Sequence, residues 1–233
     1  MSGHIGSSEN MKNVDIFAPK SCRIISYYLL NAKKPVSQKQ IVEATDVSAG
    51  LVSRVSSELV ARGVVKKLYR TRFSLEYPQK LMLDWIGNRQ MAQKKAFFAK
   101  DISILKGIKH AHTLFSGAFL QTEYLKTRFT TVYVPHNYHP HEKVREGRVG
   151  DFLENIVLIP ADDEFVFYER RKIKGQWVVN PALLFVDLSS LGGMAWQQAS
   201  EVAQQQDWQD LMKIVAINGA NRSITMQENL PTR

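Results

Sequence analysis

The stretch Ser48-Ala-Gly-Leu-Val-Ser-Arg-Val-Ser-Ser-Glu-Leu-Val-Ala-Arg-Gly63, continued by Val64-Val-Lys-Lys-Leu-Tyr-Arg-Thr-Arg-Phe-Ser-Leu-Glu76, decides how the N-terminal part folds. At 100° per residue, Leu51, Val52, Val55 and Leu59 gather on one side of a helix, and Gly50, Ser53, Arg54 and Ser57 on the other. Ser48 is placed to cap that helix and Gly63 to end it, because glycine enters the left-handed region without a Cβ clash. Residues 64–68 and 72–76 read as two short strands around Tyr69, Arg70 and Thr71. Upstream, Ile24, Ile25, Tyr28 and Leu29 mark an amphipathic helix within 23–31. Ser37 followed by Gln40 is a capping-box pattern that opens a short helix, and Thr45, Asp46 and Val47 make the turn into the longer one.

Helix, short helix, turn, longer helix and basic hairpin is the order of a winged helix-turn-helix, expected over residues 20–77 of an α+β protein. A helix fits the major groove, small exposed residues allow close approach, and an arginine can reach a guanine edge with two hydrogen bonds. On this reading Ser48, Ala49, Gly50, Ser53, Arg54 and Ser57 face double-stranded DNA, while Lys66, Lys67, Arg70 and Arg72 on the hairpin hold its phosphates. The competing reading gives the same fold a role in protein contacts alone, with the charges forming a solvated face. The segment resembles the winged-helix domains of MarR- and IclR-type regulators through Ser48-Ala-Gly-Leu-Val-Ser-Arg-Val and Leu59-Val-Ala-Arg-Gly-Val-Val.

The 233-residue chain carries +9 overall, and the charge is uneven: residues 1–100 hold 17 Lys plus Arg against 7 Asp plus Glu, the remainder 14 against 15. Such asymmetry suggests a polyanion-binding module joined to a neutral one. Apolar stretches fall far short of the ~20 residues that cross a bilayer, and the N-terminus lacks the apolar run of a secretion signal. A cytoplasmic protein with no membrane partner is expected. The single cysteine, Cys22, excludes an internal disulfide and a Cys-based zinc cage.

Beyond the hairpin, residues 78–107 are expected to hold a connecting helix, reading as helical from Gln79 to Asp101, and 108–218 a mixed domain. There the pattern predicts a helix over 115–128, strands at 130–134, 155–160, 165–169 and 177–180, and a helix opened by Pro181. A further helix over 194–206 leads on to Trp208 and Ile217. Nucleotidyl transfer needs paired acids on neighbouring strand positions to hold Mg²⁺. Ser116-Gly117 is followed by no such pair, and Asp162-Asp163-Glu164 reads as a turn. Asp187, within an apolar segment, reads as a structural carboxylate. His136, His139 and His141, with His110 and His112, do not have the spacing of a helical metal site. Neither cofactor nor metal is expected, and Arg170, Arg171, Lys172 and Lys174 read as a solvated basic edge.

Further motifs lie in Phe73-Ser-Leu-Glu-Tyr-Pro-Gln-Lys-Leu-Met-Leu-Asp-Trp, Phe115-Ser-Gly-Ala, Thr131-Val-Tyr-Val-Pro, Val179-Asn-Pro-Ala-Leu-Leu-Phe-Val-Asp-Leu and Gly192-Gly-Met-Ala-Trp-Gln-Gln-Ala. Through them, residues 23–217 resemble the AbiEi-like antitoxins of type IV toxin–antitoxin systems. Met194 departs from the pattern, standing where the Gly-Gly-Arg-Ala form has arginine. The resemblance implies a repressor of its own operon whose second domain neutralises a partner nucleotidyltransferase toxin, and which is not itself an enzyme. Two alternatives stay open: a ligand-responsive winged-helix regulator and a nucleotidyltransferase-like enzyme.

Overall fold

The computed structural model describes residues 14–69, 71–140, 144–206 and 208. It begins with α1 (Pro19–Leu30), whose proline sits in the first turn, where a missing N–H costs nothing. After β1 (Val36–Ser37), the expected capping box opens α2 (Gln38–Thr45): Ser37 Oγ accepts from Gln40 N at 3.2 Å, and Gln40 Oε1 accepts from Ser37 N at 2.8 Å. Asp46, left-handed at φ 52°, turns the chain. Ser48 then caps α3 (Ala49–Ala61) through Leu51 N at 3.4 Å. Gly63, at φ 67°, ends the helix as expected. β2 (Val65–Tyr69) and β3 (Arg72–Leu75) follow as an antiparallel hairpin, with β1 on its far side in the order β1-β3-β2. Val52, Val55 and Leu59 are buried with Ile24, Ile25 and Ile41, and a 2.9 Å hydrogen bond between Tyr28 and Ser56 ties α1 to α3.

The continuous helix expected beyond Pro78 is not what forms. α4 (Pro78–Arg89) stops at Gln90, which is left-handed at φ 45°, and β4 (Lys95–Ala99) follows. Ala96 and Phe98 face one apolar cluster while Phe97 and Ala99 face another. A segment apolar on both faces is served by a central strand, with backbone partners on each side.

β4 lies inside a seven-stranded mixed sheet with β5 (Ala111–His112), β6 (Thr130–Val134), β7 (Arg145–Arg148), β8 (Ile156–Pro160), β9 (Arg171–Ile173) and β10 (Gln176–Val178). The order is β7-β4-β8-β6-β5-β10-β9, with β6–β8 and β5–β10 parallel and the other pairs antiparallel. α5 (Leu114–Thr122), α6 (Pro181–Leu191) and α7 (Ala195–Gln205) complete the fold. α5 ends at Thr122 because Glu123 turns left-handed at φ 59°, short of the expected Arg128. Nor is 165–169 a strand: Asp163 Oδ1 accepts from Phe165 N at 3.0 Å and starts a 3₁₀ turn, Glu164–Phe167, that buries Phe165, Val166 and Phe167. Beyond Trp208, the helix expected towards Ile217 lies outside the described residues, as do Arg70 and His141.

α6 is buried from Pro181 to Ser189, as a helix apolar all round should be. One continuous apolar cluster runs from Ile16 to Ala203. α1 sits in the middle of it, between α2 and α3 on one side and α6 with the 164–167 turn on the other. The opposite sheet face buries Val132, Val134, Ile156 and Leu158 under a thin cover of irregular chain that includes Ile104, Leu105, Ile108 and Tyr138. No described helix is long and apolar enough to cross a membrane.

Candidate nucleic-acid interface

α3 divides as its sequence dictates. Val52, Val55, Ser56 and Leu59 are buried, and Ser48, Ala49, Gly50, Ser53, Arg54 and Ser57 are all exposed. Gly50 is not required by packing, since a Cβ there would meet nothing within 4 Å. Its effect is to leave that part of the helix surface low. The one acid in α3, Glu58, is neutralised four residues on by Arg62 at 2.8 Å. Arg54 has no carboxylate partner among the described residues.

The hairpin is apolar at its base and exposed along most of β2. Val65, Phe73 and Leu75 anchor its base, while Lys66, Lys67, Leu68, Tyr69 and Arg72 are exposed. The register slips between Lys67 and Tyr69, a bulge that sharpens the local twist. A hydrogen bond from Gln38 N to Thr71 O at 3.1 Å ties the hairpin to the start of α2. Lys66, Lys67 and Arg72 likewise have no carboxylate partner among the described residues. Over residues 14–77 there are eleven Lys plus Arg against five Asp plus Glu, so the module itself carries +6. Sequence reading missed Tyr69, which is 75% exposed amid cations. The available signal was an aromatic residue within the run that holds Lys66, Lys67, Arg70 and Arg72.

In the second half, the acidic run is more engaged than a solvated turn. Asp162 accepts from Arg89 Nη1 at 2.9 Å and from Lys94 at 2.5 Å; Asp163 pairs with Arg23 at 3.3 Å, and Glu164 with Lys109. Burial would raise the Asp162 carboxyl, but Arg89 and Lys94 prevail and hold it below its ordinary value. Asp187 is fully buried, taking Arg89 Nε at 2.8 Å, Thr113 Oγ1 at 2.7 Å and the Tyr133 hydroxyl at 2.8 Å. This matches the structural role read for it. The buried Arg89 guanidinium also lies 5.3 Å from the Phe165 ring centroid. The network was invisible in the sequence because its members come from five separate segments.

Arg23 also donates to Thr45 O at 3.3 Å, so one side chain touches both the end of α2 and the second half's Asp163. Arg170 is not a freely exposed cation: its guanidinium lies 4.3 Å from the Trp177 ring centroid, whereas Arg171 and Lys172 are exposed. His136 Nδ1 contacts Ala161 O, 25 residues on, at 3.0 Å, and His110 Nδ1 contacts Ile108 O at 2.8 Å, so each ring has a backbone contact. No group of three or more potential metal ligands occurs among the described residues. Cys22 is buried, and burial pushes its thiol up to about 12, which makes it a poor nucleophile. No protein-family model matches the chain, and no curated protein matches it.

Proposed function

We propose that residues 20–77 form a winged helix-turn-helix that binds duplex DNA, and that the protein is a transcriptional repressor working in the cytoplasm. The observation that carries this reading is the exposed basic surface of α3 and its hairpin: small residues flank Arg54, and Lys66, Lys67 and Arg72 stand without carboxylate partners among the described residues. Arg54 reads base edges, and the hairpin cations neutralise phosphates and release counterions. The test is a fluorescence-anisotropy titration of the full chain with duplex DNA at rising salt. Affinity is expected to fall steeply; an affinity indifferent to salt between low and physiological strength would remove the electrostatic footing.

The second half is read as an antitoxin part that neutralises a nucleotidyltransferase toxin. Its support is the resemblance carried by the Val179–Leu188 and Gly192–Ala199 stretches, together with the engagement of the acidic run in internal ion pairs, which argues against catalysis by this chain. Co-expression with a toxin of the nucleotidyltransferase class tests this reading by counting survivors. Protection is expected from the full chain, and toxicity unrelieved at matched protein levels overturns it.

A further inference from the structure

A second surface lies apart from α3 and its hairpin. It is a pocket of about 470 Å³ between the 102–106 segment, α5, the 126–130 segment and β10. That volume falls within the ~300–1,000 Å³ range of small-molecule sites. Leu105, Phe115, Phe119 and Phe129 supply apolar walls, and the Phe115 and Phe129 ring centroids lie 6.4 Å apart. Lys106 and Lys126 also line it, both exposed and both without a carboxylate partner among the described residues. No Asp or Glu is among its described lining residues, so its charge is of one sign.

His112 gives the pocket a defined hydrogen-bond acceptor. Ser116 Oγ lies 2.9 Å from Thr131 O, and a carbonyl has no proton to give, so the hydroxyl donates there. Ser116 Oγ also accepts from Thr131 N at 3.0 Å. With its one proton committed, its 2.9 Å contact with His112 must be Nδ1–H donating to Oγ. Burial first, and His110 second, draw the ring down to about 4, so it is uncharged at neutral pH. Nε2 therefore carries a lone pair, in a pocket that the exposed Gln176 also lines.

We infer that this pocket binds a small aromatic anion. The ring lies among Phe115, Phe119 and Phe129, the carboxylate or sulfonate meets Lys106 and Lys126, and Nε2 of His112 accepts any N–H or O–H the molecule offers. The inference is independent of the DNA-binding reading. It is tested by amide NMR titration of the full chain with 1-naphthoate, 1-naphthalenemethanol and inorganic sulfate in parallel. Naphthoate should shift residues 102–130 and 176 saturably, with the neutral alcohol at least about tenfold weaker and sulfate alone not saturating. Lys106→Glu with Lys126→Glu, at two exposed positions, should weaken naphthoate about tenfold while leaving the rest of the spectrum in place; tenfold corresponds to about 1.4 kcal/mol. No saturable shift at millimolar naphthoate, equal binding of the neutral alcohol, or saturation by sulfate alone overturns the inference.

Discussion

At the scale of single residues, the proposed interface separates reading from gripping. Arg54→Ala is expected to cost roughly 1–3 kcal/mol on a preferred sequence and to narrow the gap between preferred and random DNA. Arg72→Ala should weaken both alike and reduce the salt slope by about 1. Both side chains are exposed, so neither change should disturb folding. Competition titrations with specific and random duplexes check this; equal losses on both duplexes for Arg54→Ala would show that it does not read bases. His112 makes a separate prediction. Its folded value of about 4 lies below the ordinary 6.5, so the unfolded chain takes up the proton first. The stability it contributes is complete above about pH 6.5 and is lost as pH falls towards 4. Urea midpoints for the intact protein should drop over that window, and His112→Gln should flatten the drop; an equally steep profile in the variant would assign the acid sensitivity elsewhere. Ser37, Gln40, Ser48 and Gly63 were legible in the sequence because caps and stops act within four residues. His112 and Arg89 were not, since Gln176 and Asp187 lie far along the chain.

At the scale of elements, alternation and capping carried α2, α3, β6 and the hairpin, and failed where a short apolar run had two readings. Lys95 to Ala99 looks helical beside the polar helix before it, yet the left-handed Gln90 breaks the chain, and burial on both faces makes the segment a strand. Phe165 to Phe167 are apolar for a similar reason: they fill the core beneath α1 from a capped turn. α4 and α6 are joined by the buried Arg89–Asp187 pair, for which no local pattern exists. Removing one member leaves a buried charge unpaired, so Arg89→Met should lower stability by about 3–5 kcal/mol. Arg89→Met with Asp187→Leu should recover a large part of that, because neither charge is then stranded. Urea unfolding of the two variants decides it: a double variant no more stable than the single one would mean that the cost comes from lost packing around Tyr133 and Phe165.

At the scale of the whole molecule, the charge split suggests two independent modules, but the core joins them. Seven residues of α1 are buried, Ser21, Cys22, Ile24, Ile25, Ser26, Tyr28 and Leu29, more than one face of a twelve-residue helix can hide. They are covered from both sides, by α2 and α3 and by α6 with the 164–167 turn, and Arg23 spans the junction from Thr45 O to Asp163. Cutting the chain after residue 77 would therefore expose part of α1 and strand Arg23. If the equivalent of two or three apolar side chains loses its cover at about 1.5–3 kcal/mol each, the loss matches a large share of a typical domain's stability. The isolated 14–77 fragment is accordingly expected to be marginal, and to bind DNA weakly through a shortage of folded molecules while its basic surface is intact. In the full chain, circular dichroism and tryptophan fluorescence should report one coincident urea transition, because Trp85 and α1 belong to the same continuous core. Anisotropy on the fragment, with and without a stabilising osmolyte, separates the causes, since an osmolyte favours burial without adding contacts to DNA. Affinity recovered by osmolyte places the second half as the support that holds the DNA-reading half folded; a fragment as stable as the full chain, or two separated transitions in the full chain, would make the halves independent.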